Sequence, residues 1–235
     1  MKKLIACFID GMGVRLAAAC IALVLPAASP AAPVDDMAQL YALPPAGSVY
    51  ARVINATGNN LNAALAEYKA VELTASGDTL ASGYYSIDGT APYTVQINGK
   101  TVSADPLASG AGFVSLLLLN GSAGLYIQPV EDKAVAADGL KAELAVYNLV
   151  PACSAASIAL NGGQQVFSDV VFGGRKARAI NPIKAGLIGG CAESHSPVFD
   201  LPELKGGDHF SLFLLGNPTS PVLTGALNKL MPIVR

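Results

Sequence analysis

The segment Leu107-Ala-Ser-Gly-Ala-Gly-Phe-Val-Ser-Leu-Leu-Leu-Leu119 returns as Glu203-Leu-Lys-Gly-Gly-Asp-His-Phe-Ser-Leu-Phe-Leu-Leu215, with Pro106 matched by Pro202. A glycine, a serine and the leucines after it fall in register. Upstream, Ala51-Arg-Val-Ile-Asn55 is echoed by Leu144-Ala-Val-Tyr-Asn148, and Ile87-Asp88 by Ile180-Asn181. The offset drifts from 93 residues (55 to 148) to 96 (107 to 203), as a short loop insertion would cause. A unit of roughly 95 residues is too long for a solenoid repeat and suits a small domain. The repeat predicts two copies of one module.

The local signals inside each copy are those of strands. Ser48–Asn55 is rich in β-branched residues, and Tyr93–Ile97 and Lys100–Val102 flank Asn98-Gly99. Asn-Gly between two such runs predicts a type I′ hairpin, because both residues tolerate positive φ. Phe113–Leu119 and Leu125–Val130 read as further strands of the first copy. Leu140–Val150, Ser157–Leu160, Gln164–Phe167, Phe210–Leu215 and Val222–Leu223 read as strands of the second. Helical spacing is weak; Leu61, Leu65 and Tyr68 could share one short helical face. The predicted fold is all-β: two tandem antiparallel β-sandwich domains from an internal duplication, over residues 40–131 and 139–235. Glu131–Gly139, with Glu131, Asp132, Lys133 and Asp138, reads as the polar linker between them.

Residues 1–31 read as a cleaved export signal. Lys2, Lys3 and Arg15 precede the apolar run Leu16–Leu25, which Pro26 ends ahead of small residues. The run is short for a bilayer span. Met12 offers a second start with its own charged region, and Cys20 stands too early in the run for lipidation. Cleavage leaves 12 of the 15 basic and 16 of the 17 acidic side chains, a net charge of −4. No basic face remains to hold nucleic acid. In an oxidising compartment the remaining cysteines, Cys153 and Cys191, are expected to form a disulfide; free thiols or metal binding with His195 are the alternatives. Two cysteines and one histidine fall short of a zinc ligand set, so no metal or cofactor is expected.

The catalytic inventory is thin. Ser194-His195 and Asp208-His209 are the only histidine-bearing pairs, and neither sits in a nucleophile elbow. Asp208-His209 aligns with Gly112-Phe113 of the first copy, at the entry to a core strand, which predicts turn and edge roles. Arg52 stands out as a charge inside an apolar strand. It could be solvated, satisfied within a network, or a contact to a sugar or partner carboxylate. Tyrosines 41, 50, 68, 84, 85, 93 and 126 crowd the first copy, mostly as core or edge packing.

Several of these residues together resemble the AlgF family of alginate biosynthesis proteins. Leu40-Tyr41, Pro44-Pro45-Ala46-Gly47-Ser48 and Arg52-Val53-x-Asn55-Ala56 look like its opening. Asn148 and Arg178-x-Ile180-Asn181-Pro182-x-Lys184 are similar to its central motif, and Phe210-Ser-Leu-Phe-Leu214 to its closing strand. The resemblance implies a periplasmic, non-catalytic accessory protein for O-acetylation of an exopolysaccharide. Its implied partners are periplasmic O-acetyltransferase enzymes, a membrane-bound acyltransferase and the polysaccharide itself. Arg52, Arg178 and Lys184 are the candidate contact residues. Asn55, Asn148, Asn181 and Pro182 are motif residues that could equally shape turns. The Cys153/Cys191 pair and the Ala-rich composition depart from the family pattern. A stand-alone carbohydrate-binding module, or an accessory protein for acetylated cellulose or another exopolysaccharide, are the alternatives.

Overall fold

A computed structural model describes residues 44–107, 112–133 and 139–232. The expected export signal and most of the expected linker lie outside these. In the first half the strands are β1 (Ser48–Asn55), β2 (Leu61–Leu65), β3 (Val71–Leu73), β4 (Tyr85–Asp88), β5 (Tyr93–Ile97), β6 (Lys100–Ala104), β7 (Phe113–Gly121) and β8 (Gly124–Glu131). The second half supplies β9 (Ala142–Asn148), β10 (Ala156–Leu160), β11 (Gln165–Val170), β12 (Arg175–Ile180), β13 (Ala185–Cys191), β14 (Ser194–His195), β15 (Phe199–Leu201), β16 (His209–Asn217) and β17 (Ser220–Leu227). One 3-10 turn, Asp78–Leu80, interrupts the first half among the described residues. No helix among the described residues is long and apolar enough to cross a membrane.

Each half pairs its strands into two sheets. The first has β4-β1-β7-β8 and β3-β2-β5-β6; the second has β12-β9-β16-β17 and β11-β10-β13-β14, with β15 also on β13. Pairing registers recur between halves. Val49 faces Ile87 as Ala142 faces Ile180, and Ala51 faces Val114 as Leu144 faces Phe210. These are the same 93- and 96-residue offsets seen in the sequence.

Three apolar cores explain the strand composition. Val49, Ala51 and Val53 of β1, with Val114, Leu116 and Leu118 of β7, face Leu61, Leu65 and Val95 inside the first half. Leu144 and Val146, with Phe210, Leu212 and Leu214, do the same in the second. The opposite faces of those strands also find apolar cover. Ile54, Leu117 and Leu119 meet Ala145, Tyr147, Phe213 and Leu215 in a third core that joins the halves. Strands β1, β7, β9 and β16 are therefore buried on both faces, which is why Leu116–Leu119 and Leu212–Leu215 are unbroken apolar runs and do not alternate.

Two expectations need correction. Two of the four sheets are mixed, since β1 and β7 run parallel, as do β9 and β16; the other two are antiparallel as expected. The chain leaves β1, builds the outer sheet, and returns through a long crossover, which brings the second strand in along the first. Leu61 and Leu65 form β2 rather than a helical face. Ala63 and Leu65 pair with Ile97 and Val95 across to β5, and these long-range pairs override the local spacing. Tyr68 lies beyond the strand and donates its hydroxyl to the Ser86 carbonyl at 2.9 Å. The Asn98-Gly99 turn has φ of 49° and 79°, the left-handed pair that type I′ requires.

Cys153 and Cys191 form a disulfide across 38 residues. Both are buried in the second core, where the bond ties the turn after β9 to the end of β13.

Candidate functional site

Arg52 is the most fully buried charged side chain, at 1% exposure. It lies on β1, on the face that turns toward the other half. Its Nε donates to Ser115 Oγ at 2.8 Å; Nη1 donates to Asn228 Oδ1 at 2.7 Å. Nη2 donates to both Tyr147 Oη at 2.9 Å and Ser211 Oγ at 2.8 Å. The guanidinium carbon stands 4.6 Å from the Tyr84 ring centre and 5.4 Å from that of Tyr147, a cation–π arrangement on two sides. Ser115 and Ser211 are the serines that recur in the repeat, one on β7 and one on β16. They clasp one guanidinium from opposite halves, and Ala145, the repeat counterpart of Arg52, leaves it room.

Asp132 balances the charge. The Ser115 and Tyr147 hydroxyls accept from Arg52 and donate to the Asp132 carboxylate, Ser115 at 2.6 Å. Tyr84 donates to the same carboxylate at 2.7 Å. Arg175 approaches it at 3.3 Å and reaches Glu143 at 2.7 Å, and His209 Nδ1 lies 3.7 Å from Glu143. Two guanidinium and two carboxylate groups thus share one enclosed volume between the sheets, with four of the five Arg52 N–H groups bonded to Ser115, Asn228, Tyr147 and Ser211. Desolvation alone would lower the Arg52 pKa, but Tyr84, Tyr147 and Asp132 outweigh it and hold the pKa above its ordinary value.

Burial pushes the Tyr84 and Tyr147 hydroxyls well above and above their ordinary pKa, respectively. A tyrosine that ionises less readily folded than unfolded contributes stability below the unfolded pKa and loses it as pH rises past that value. The chain is expected to unfold cooperatively above about pH 10. In an alkaline titration followed by tyrosinate absorbance, two tyrosines should ionise only with loss of the β-sheet circular-dichroism signal. Smooth ionisation of all tyrosines in a folded chain would contradict this.

The sequence-derived candidates are not brought together. Arg52, read as a contact residue, is enclosed between the halves: Ser115, Tyr147 and Ser211 around it are buried and Asn228 is half-buried, so the side chain joins the halves. Arg178 is exposed on the edge strand β12, and its Nη1 donates to the Val166 carbonyl of β11 at 3.1 Å. Lys176 does the same to Ser168 at 2.7 Å, so the two cations cover the open side of the second half between two edge strands. Lys184 is exposed and pairs with Glu203 at 3.1 Å. Asn181 accepts from Lys141 at 2.6 Å, and Pro182 beside it is exposed.

Asn55 and Asn148 are wholly buried and equivalent. Each ends the first strand of its half and donates to carbonyls at the end of the third: Asn55 to Leu73 and Thr74, Asn148 to Val170 and to Cys153. Each also accepts a backbone N–H two residues on, from Thr57 and Val150. These side chains replace ladder bonds that the chain cannot make while it changes sheets.

Sequence reasoning placed Asp132 in a polar linker and gave Tyr147 no role. The serine that recurs at the same register inside two apolar runs was the signal for this cluster, since a lone buried hydroxyl needs a partner.

Among the described residues no group of His, Cys, Asp and Glu side chains is arranged to hold a metal ion. Asp208 accepts the Lys205 amide at 2.7 Å within its own turn. His195 is exposed on β14, opposite Gly190. The pocket beside Glu143, Arg175 and His209 measures about 30 Å³, space for a water molecule but not for an acetyl ester on a sugar ring.

Comparison with known proteins adds three findings. Among solved structures the chain is similar to the Bacillus anthracis TIE protein, at 9% identity and a TM-score of 0.24, covering 72% of this chain and 34% of that one. It is also similar to a candidate cell adhesion protein from Bacteroides fragilis NCTC 9343, at 10% identity and a TM-score of 0.24, covering 89% and 94%. The chain spans about a third of the length of the first. No curated protein matches. The family model described as alginate O-acetyl transferase AlgF matches residues 21–196. That match covers well over half of the sequence: the chain belongs to the AlgF family, and with it to alginate O-acetylation.

Proposed function

We propose that this chain serves alginate O-acetylation as a non-catalytic periplasmic adaptor. It holds the O-acetyltransferase enzymes and a membrane-bound acyltransferase near each other and near the polymer. The observation that carries the reading is where the reactive side chains go. Asp132, Glu143, Arg52 and Arg175 are spent on one another between the halves, and Asp208 is spent on its own turn. An acyl transfer needs a nucleophile, a base and an open site around both; the pocket that His209 lines with Glu143 and Arg175 is the 30 Å³ one above. The recurring registers support an origin by duplication, and two fused copies present two different surfaces at a fixed separation. Such an arrangement raises the effective concentration of bound partners without taking part in the reaction. Arg178 and Lys184, exposed on the second half, are the proposed contacts on that side.

Deleting the gene tests the reading. Polymer yield should stay the same while its acetate content falls to a small fraction of the parent strain's. Polymer acetylated to the parental level in the deletion strain would sink it.

A further inference from the structure

The two halves differ at one place where their topology is the same. In the second half Phe199 of β15 packs on Phe210 of β16, with ring centres 6.2 Å apart, and closes the seam between the sheets. By register the first-half counterparts are Val102 and Val114. Val102 pairs with Val95 as Phe199 pairs with Leu187, and Val114 pairs with Ala51 as Phe210 pairs with Leu144. Two valines stand where the second half has two phenylalanines. The seam is correspondingly open: a groove of about 580 Å³ runs between β6 and β8, floored by Val102, Ala104, Leu125 and Ile127.

The groove lies along a free strand edge. Among the described residues β8 has a neighbour on one side only, β7, and β6 only β5. The Asp132 amide bonds back to the Phe113 carbonyl, so the even-numbered positions of β8 face β7. Leu125, Ile127 and Pro129 then turn their backbone groups outward, and Pro129, which has no N–H, marks where an added strand would end. Backbone donors beside an apolar trough are the two elements of recognition by strand addition, one giving affinity and the other choosing alternate side chains. Tyr126, 39% exposed, stands at the rim.

Charge identifies the occupant. Asp105 and Glu131 line the groove and no lysine or arginine does; Glu131 pairs with the exposed Lys133 at 3.2 Å, and Asp105 stands at the β6 side. The chain's own segment ahead of residue 44 carries Asp35 and Asp36 and has no basic residue after Arg15, so like charge disfavours it. We infer that this groove receives an extended, alternately apolar segment of a partner protein, flanked by basic residues, which adds as a strand to β8. The inference rests on the adaptor reading for the partner's place in acetylation, and on the groove alone for its chemistry.

The test titrates the mature chain with labelled peptides by fluorescence anisotropy. One alternates valine and threonine between terminal lysines, a second has terminal glutamates instead, and a third is residues 32–43 of this chain. The lysine-flanked peptide should bind, and the glutamate-flanked one about tenfold or more weaker. Val102→Phe, which copies the closed seam of the second half, should weaken binding about tenfold or more with no fall in melting temperature. No binding of the lysine-flanked peptide, equal binding by Val102→Phe, or tighter binding of the 32–43 peptide would each overturn the inference. In the deletion strain, Val102→Phe should fail to restore acetate. If it restores full acetate, the groove is not the partner site, while the adaptor reading still stands on the deletion itself.

Discussion

Arg52→Met is expected to lower the stability of the whole chain by about 3–5 kcal/mol, the scale for leaving a buried charge uncompensated, here Asp132, which Arg52 balances through the Ser115 and Tyr147 hydroxyls. The loss is not the contact energy alone. Asp132 would keep its charge with Arg175 as its only close cation, and Ser115, Tyr147, Ser211 and Asn228 would each lose a donor inside a closed volume. Arg52→Lys should recover little, because one ammonium on a flexible stem cannot span four acceptors held in the plane of a guanidinium. Replacing Asp132 by asparagine in the Arg52→Met background should restore part of the loss, since the stranded charge is then gone. Urea unfolding followed by circular dichroism measures all three. A loss below about 1 kcal/mol for Arg52→Met, the range of an exposed pair, would show that the cluster does not join the halves.

Removing the disulfide has the second large effect. Closing a loop of 38 residues restricts the unfolded chain by about 4 kcal/mol in the chain-entropy account. Cys153→Ala with Cys191→Ala should therefore unfold well below the parent protein in urea. The bond lies in the second half, yet Tyr147, Phe213 and Leu215 also form the core shared with the first. One transition is expected, not an early loss of the second half alone. Intact-mass measurement of exported protein should show two hydrogens fewer than the reduced chain. Two free thiols in that material would contradict the bond.

The all-β character of the fold was legible in the sequence. A glycine, a serine and a leucine run in register at two places marked strands whose pairing registers recur, and Asn98-Gly99 stated a hairpin from its own backbone preferences. The direction of β7 against β1 was not legible, since an apolar run pairs equally well either way and only the length of the crossover decides it. Leu61, Leu65 and Tyr68 misled for a related reason: three residues at helical spacing are weak against pairing with distant β5. The site was half legible. Arg52 within an apolar strand announced a special role, and burial in a network was one of the readings open to it. What chose that reading was a second sheet laid over the same face of β1, which no local pattern in Ala51–Asn55 reveals. Asp132 was lost to the linker for the same reason, because polar neighbours on either side describe a loop whether or not one of its carboxylates turns inward.

Complementation of the deletion strain tests the central claim most directly. The chain would be supplied with His195→Ala together with His209→Gln, the glutamine keeping a polar group toward Glu143. Acetate per uronate residue would then be measured on the secreted polymer, beside a check that the variant is folded. A protein that organises the reaction without chemistry of its own should restore acetate to the level given by the parent sequence. A folded variant that still binds its partner enzymes yet leaves the polymer unacetylated would contradict the account and place a catalytic histidine in this chain.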